Sequence, residues 1–226
     1  MPGKKLQELP LQSDDLSSYA LRLRERGFLC VPLRKAGKHL DLCQMGYEPL
    51  HLRSRRKNLK ELAFSGIAFH LSQCPPDAAA VRRWFTRAES NIGILGGYAD
   101  LIILDFDQGH YFQKWKRRHA TMITTTPVAK TPKGFHVYLR YREPTISSSL
   151  HFGLHRIGHV KALGGYVVAD PSRLQDGTNY RWLPGQSLFD LEPRTIDSLD
   201  SLDLSPVSPL KHYYDVFLKR GYFEDA

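Results

Sequence analysis

Ile102-Ile103-Leu104-Asp105-Phe106-Asp107 is an apolar run that ends in two carboxylates one residue apart. Side chains alternate along a strand, so Asp105 and Asp107 share one face and Phe106 takes the other. Two anions side by side repel each other, and a cation between them relieves the repulsion. Hard dications such as Mg²⁺ are held by one or two carboxylates plus substrate phosphates, so this strand end suits phosphoryl chemistry. A D-x-D at a strand end also arises simply because turns begin at Asp. The flanking sequence has to separate the two readings.

The strand itself reads as Leu101–Phe106, and upstream Asn91–Leu95 reads as a second, joined to it by Gly96-Gly97-Tyr98-Ala99-Asp100. Downstream, a helix is expected over His110–His119, and the β-branched Thr121–Thr126 reads as a strand. Phe135–Leu139 alternates like a strand after the turn Thr131-Pro132-Lys133-Gly134, Gly165–Ala169 reads as another, and Asn179–Trp182 as one more. Nearer the start, Ser13-Asp14-Asp15 caps a helix over Leu16–Arg26 that Gly27 stops, and Phe28–Leu33 continues the chain as a strand. Residues 35–70 read as a long irregular excursion, and Pro75-Pro76-Asp77 opens a helix through Arg87. Helices and strands mix without regular βαβ alternation, so the fold class is α+β.

The chain has 226 residues and a formal net charge of +9. Residues 1–186 hold 28 Lys/Arg against 15 Asp/Glu, whereas residues 187–226 hold 4 against 8. A basic body of this kind favours a polyanionic partner, and nucleic acid fits best. Its densest runs are Arg53–Lys57 and Lys114–Arg118. Residues 1–186 are read as one catalytic domain, and 187–226 as an acidic linker or tail with a final helix near Leu210–Lys219. Cys30, Cys43 and Cys74 form neither a metal knuckle nor a disulfide framework, which suits a reducing cytoplasm. No signal peptide and no membrane span are expected.

Lys133 and His136 can both donate to phosphate oxygens, and Gly134 between them permits a close backbone approach. His151, His155 and His159, spaced by four, suggest zinc on a helix face. Gly153 and Gly158 oppose that helix at about 1 kcal/mol each. As a strand, 155–161 keeps only His155 and His159 on one face. Phosphate-loop, dinucleotide and nucleophile-elbow signatures do not occur.

The order of segments resembles the bifunctional DNA primase/polymerase (Prim-Pol) domain of the archaeo-eukaryotic primase superfamily, from about Tyr19 to Trp182. Tyr19–Phe28, Val31-Pro32-Leu33 and Gly37-Lys38 resemble its N-terminal signature, and Val81–Phe85 with Asn91–Ile94 its helix and first central strand. Leu104–Asp107 is similar to the first catalytic motif and Thr131–Tyr138 to the second. Gly164–Ser172, Gly177 and Tyr180–Trp182 are similar to the segments C-terminal to the third motif. The resemblance implies an RRM-like catalytic sheet beside an N-terminal α/β module.

It also implies a site. Asp105 and Asp107 would carry two divalent metals, Mg²⁺ or Mn²⁺. His136 and Lys133, with Lys161 and Arg173, would bind the triphosphate of a dNTP or NTP. Single-stranded DNA template and primer would be the macromolecular partners, with unwinding left to a separate helicase. One position departs from the pattern. The third motif's acid stands five residues before the first glycine of the Gly-Gly-Tyr run, and here that residue is His159. Imidazole suits Mn²⁺ better than Mg²⁺. Asp170 is a candidate substitute carboxylate. Two alternatives stay open: a nucleic-acid or nucleotide-binding module with an impaired site, and a nuclease or strand-transfer enzyme using the same carboxylates.

Overall fold

The computed structural model describes residues 13–47, 57–87 and 89–207. Two sheets face each other across a shared core. The smaller consists of β1 (Cys30–Leu33), β2 (Asn91–Leu95) and β8 (Tyr166–Val168), in the order β1-β2-β8 and antiparallel throughout. The larger contains β3 (Leu101–Phe106), β4 (Val128–Lys130), β5 (Phe135–Arg140), β6 (Ser148–Phe152), β7 (His155–Lys161), β9 (Arg181–Trp182), β10 (Arg194–Thr195) and β11 (Ser205–Val207). Its order is β11-β6-β7-β3-β5-β4-β9, with β10 parallel to β5. The fold is α+β, and the strand bearing Asp105 lies inside the larger sheet between β5 and β7.

The alternation of β3 divides the core in two. Leu101 and Ile103 enter the cluster shared with the smaller sheet, together with Val31, Ile94, Tyr138 and Val167. Ile102, Leu104 and Phe106 face the opposite cluster, under Phe112 and Trp115 of α4 (Gly109–Arg118). β3 is therefore buried on both sides until its last turn, where Asp105 breaks out on the inter-sheet face. Helix α1 (Ser13–Glu25) ends as its sequence dictates. Gly27 sits at φ +80°, with Gly27 N–H donating to the Arg24 carbonyl and Phe28 N–H to that of Leu23. Helix α3 (Ala78–Trp84) starts at Asp77, whose side chain accepts from Ala80 N–H at 2.6 Å, and stops short of Arg87.

Two sequence expectations are corrected. Residues 57–73 are a helix, α2, which begins inside the stretch read as irregular and runs past its end. Phe64, Ile67, Ala68 and Leu71 recur at helical spacing and pack on the first core, a pattern obscured by Gly66. Thr121–Thr126 is not a strand, because α5 spans Ala120–Thr124. The Thr124 and Thr125 hydroxyls donate to carbonyls three and four residues back, so the hydroxyls satisfy the turn that their β-branching disfavours. Residues 187–207, read from composition as a linker or loosely docked tail, pack against the larger sheet. Leu188, Ile196, Leu202 and Leu204 are buried, Trp115 Nε1–H donates to the Leu202 carbonyl at 2.6 Å, and β11 pairs with β6. Leu, Ser and Asp are the commonest residues of that segment, and its apolar members at intervals pin it. The expected helix near 210–219 lies outside the described residues.

Among the described residues, no helix is long and apolar enough to cross a membrane.

Candidate active site

A cleft of about 870 Å³ opens between the two sheets at the end of β3. Asp105, Asp107 and His159 stand on its floor, with one ligand atom from each lying within 4.8 Å of the others. Sheet register produces the convergence. Asp105 is flanked by His136 on β5 and His159 on β7, both directly opposite it. Asp107 lies just past the strand end and is about half exposed.

Two glycines let the neighbours close on this strand end. A Cβ on Gly158 would lie 1.8 Å from the Asp105 carbonyl oxygen, and one on Gly134 1.7 Å from that of Phe106. The close backbone approach that Gly134 permits is to β3.

His136 Nε2 lies 3.2 Å from Asp105 Oδ1, and the ring stacks on Tyr180 at 5.8 Å. Burial opposes a charge on Asp105. The His136 imidazole and its hydrogen bond outweigh this, with help from Lys161 and His159, and the carboxyl is held at about 2. Asp105 is therefore an anion at any ordinary pH. Burial pushes the His159 imidazole below its usual range, as does Lys161, and the Asp105 and Asp107 charges offset this only in part. A neutral imidazole retains a lone pair. Its Nδ1 is buried without a hydrogen-bond partner, 3.9 Å from Asp107 Oδ2. Two carboxylate oxygens and an imidazole nitrogen converging at this spacing fit a divalent ion, provided that the nitrogen carries the lone pair and not the ring proton.

The cleft wall is cationic. Lys133, in the turn between β4 and β5, and Lys161, on β7, both line it. So do Lys38 and Arg156, which the sequence reading did not single out as site residues. Lys38 had a visible cue, since it falls within the N-terminal signature. Arg156 had none, because its direction depends on a bulge. His136 sits at the base of the cleft, only 4% exposed, and its contact is to Asp105 rather than to open space. Arg173 is not brought to the cleft. Its Nε donates to the Gly177 carbonyl at 3.3 Å, and its backbone N–H donates to Asn91 Oδ1. Asp170, the candidate substitute acid, accepts from the Tyr19 hydroxyl at 3.5 Å and stands outside the converging group. His151, His155 and His159 form no cluster of their own, because β6 and β7 are a hairpin and not one helix.

Residues 20–199 match the family model described as bifunctional DNA primase/polymerase, N-terminal (Prim-Pol). The chain belongs to the Prim-Pol family. No curated protein matches it closely enough to count as a relative. Membership supports an activity of the nucleotidyltransferase type, with nucleotide and nucleic acid as ligands and divalent metal as cofactor. In this Prim-Pol chain the family match runs past Trp182 into the docked segment, as far as Leu199.

Proposed function

We propose that this Prim-Pol domain is a template-dependent nucleotidyltransferase that starts DNA primers, extends them, or both. The observation that carries the reading is the convergence of Asp105, Asp107 and His159 on the floor of a cation-walled cleft. Asp105, Asp107 and His159 would hold the divalent ions. When bound, such ions stabilise both the attacking and the leaving oxygen of an in-line phosphoryl displacement. Lys133 and Lys161 would face the triphosphate and offset its charge, the kind of fixed electrostatic stabilisation that dominates such transfers. His136 would hold Asp105 in place through its hydrogen bond. Template and primer backbones would lie on the basic body, bound through phosphate contacts and with little regard to sequence.

A second reading, a binding module with a disabled centre, is favoured by one feature. His159 stands at the position of the family's third acid and brings no negative charge to a site for dications.

One assay separates the readings: incorporation on primed and unprimed single-stranded DNA, with dNTPs or NTPs, in Mg²⁺ and Mn²⁺ in parallel. The wild-type chain is expected to incorporate better with Mn²⁺. Asp105→Ala and Asp107→Ala should each lower incorporation at least about 100-fold, the scale on which electrostatic stabilisers act, while DNA affinity is kept. Near wild-type incorporation by either variant in both metals would refute the metal assignment. If the wild-type chain is inert with both metals and His159→Asp switches incorporation on, the binding-module reading holds instead.

A further inference from the structure

His159 does not stand alone at the third-ligand position. Arg156 Nη2 lies 2.6 Å from its Nε2. A guanidinium has hydrogens to donate and no lone pair to accept with. Nε2 must therefore be the accepting nitrogen. A neutral imidazole has one acceptor nitrogen only, so the ring proton sits on Nδ1. That is the nitrogen which is buried, has no hydrogen-bond partner and faces Asp107 at 3.9 Å. Held in this way, His159 offers the carboxylates an N–H and not a lone pair.

The contact is built into the strand. β6 and β7 pair with Leu150 opposite Gly158 but with His151 opposite Arg156, which leaves Ile157 as an extra residue on β7. One extra residue reverses the alternation beyond it. Without the bulge, Arg156 would share a face with Gly158 and Val160. With it, Arg156 comes round to the face of His159 and Lys161, and it lines the cleft.

We propose that Arg156 is a positioning residue that locks His159 with its proton on Nδ1, so that a divalent ion gains its third ligand only by displacing the guanidinium. Binding at Nδ1 requires that proton to leave Nδ1. A proton then carried on Nε2 would point at the Arg156 donor, and the two groups must part. The released guanidinium stays in the cleft as a free cation. The proposal rests on the metal-centre reading above.

The test is Mn²⁺ binding to the full chain by calorimetry, for wild type and Arg156→Met, each with His159 present and with His159→Ala. Arg156 is exposed, so its replacement leaves the core intact. With His159 present, Arg156→Met is expected to bind Mn²⁺ about tenfold more tightly, the scale of one charge-assisted hydrogen bond. With His159→Ala, the same change should leave affinity essentially unaltered. Nitrogen-15 spectra of the metal-free wild type should show His159 protonated on Nδ1, and Arg156→Lys, which restores a donor, should keep that signature. An equal gain in both backgrounds would mean a bare charge effect and overturn the proposal. So would no gain, or a ring protonated on Nε2. If no variant binds Mn²⁺ or Mg²⁺, the metal-centre reading itself fails, and the proposal with it.

Discussion

Gly158 shows how much of this site is decided by a hydrogen where a methyl could be. It lies opposite Phe106, and the Asp105 carbonyl oxygen occupies the space its Cβ would need. Backbone cannot yield there as the end of a flexible side chain could. Gly158→Ala must push the end of β3 away from β7, moving both carboxylates relative to His159. The expected cost is about 1–3 kcal/mol, the range for overpacking a closed interior. Thermal unfolding should report that loss, and incorporation should fall by more than the unfolded fraction explains. A variant with wild-type melting temperature and activity would show that the two strands separate easily. This contribution was half visible in the sequence. Gly158 read as a helix breaker, which was correct, but its partner across the sheet could not be known before the register was. Asp105, Asp107 and His159 were legible because they fall in an ordered series of motifs. Arg156 was not, since its aim depends on one extra residue in β7.

Helix α4 connects the site to the surface around it. It starts two residues after Asp107, and Gly109 N–H donates to the Lys133 carbonyl at 3.0 Å, which ties its first turn to the cleft rim. Phe112 and Trp115 are buried beneath it, while His110, Gln113, Lys114 and Arg117 form an exposed stripe at helical spacing. The helix contains no acidic residue. Neither Lys114 nor Arg117 has an ion-pair partner among the described residues, whereas Arg118 reaches Asp203 at 3.7 Å. Ten residues span about 15 Å, enough to track several phosphates of a backbone leaving the cleft. Charge reversal at Lys114 and Arg117 together is expected to weaken primed-DNA binding and to lower the slope of log affinity against log salt by about 2, since each phosphate contact contributes about 0.9. An unchanged slope would place the nucleic acid elsewhere on the basic body. At this scale the sequence is unevenly informative. Strands β2 and β3 were found to the residue because apolar runs flanked by turn residues admit few alternatives. Helices α2 and α5 were missed because Gly66 and the threonine run weigh against helix locally, and burial on the sheets overrides that preference.

Across the whole molecule, the two sheets are held together by a core that contains several groups able to ionise at high pH. Cys30 and Tyr138 are fully buried there, with Tyr19, Tyr166 and Tyr180 packed against or within the same cluster. Burial pushes Tyr166 and Tyr180 up to about 12, and raises Tyr19, Tyr138 and Cys30 well above their usual ranges. For Tyr19 the Asp170 charge adds to the effect. The sign comes from linkage. An unfolded tyrosine titrates near pH 10. Between there and the raised folded value, the folded state keeps protons that the unfolded state gives up. Stability from the tyrosines is therefore complete below about pH 10 and is lost as pH rises beyond it, and that from Cys30 starts to be lost above about pH 8.5, where an unfolded thiol titrates. The expected outcome is a cooperative alkaline transition in which the last share of tyrosinate absorbance, that of these four among eleven tyrosines, appears together with the loss of circular dichroism, because these rings ionise only as the sheets part. The Tyr138 hydroxyl is also buried without a hydrogen-bond partner. Tyr138→Phe removes both a group that must stay protonated and a polar atom left unpaired, so its alkaline midpoint should move to higher pH without loss of stability at neutral pH. If the full absorbance of all eleven tyrosines develops while the dichroism persists, these four rings titrate in the folded protein, and the inter-sheet core is open to water in a way this packing does not allow.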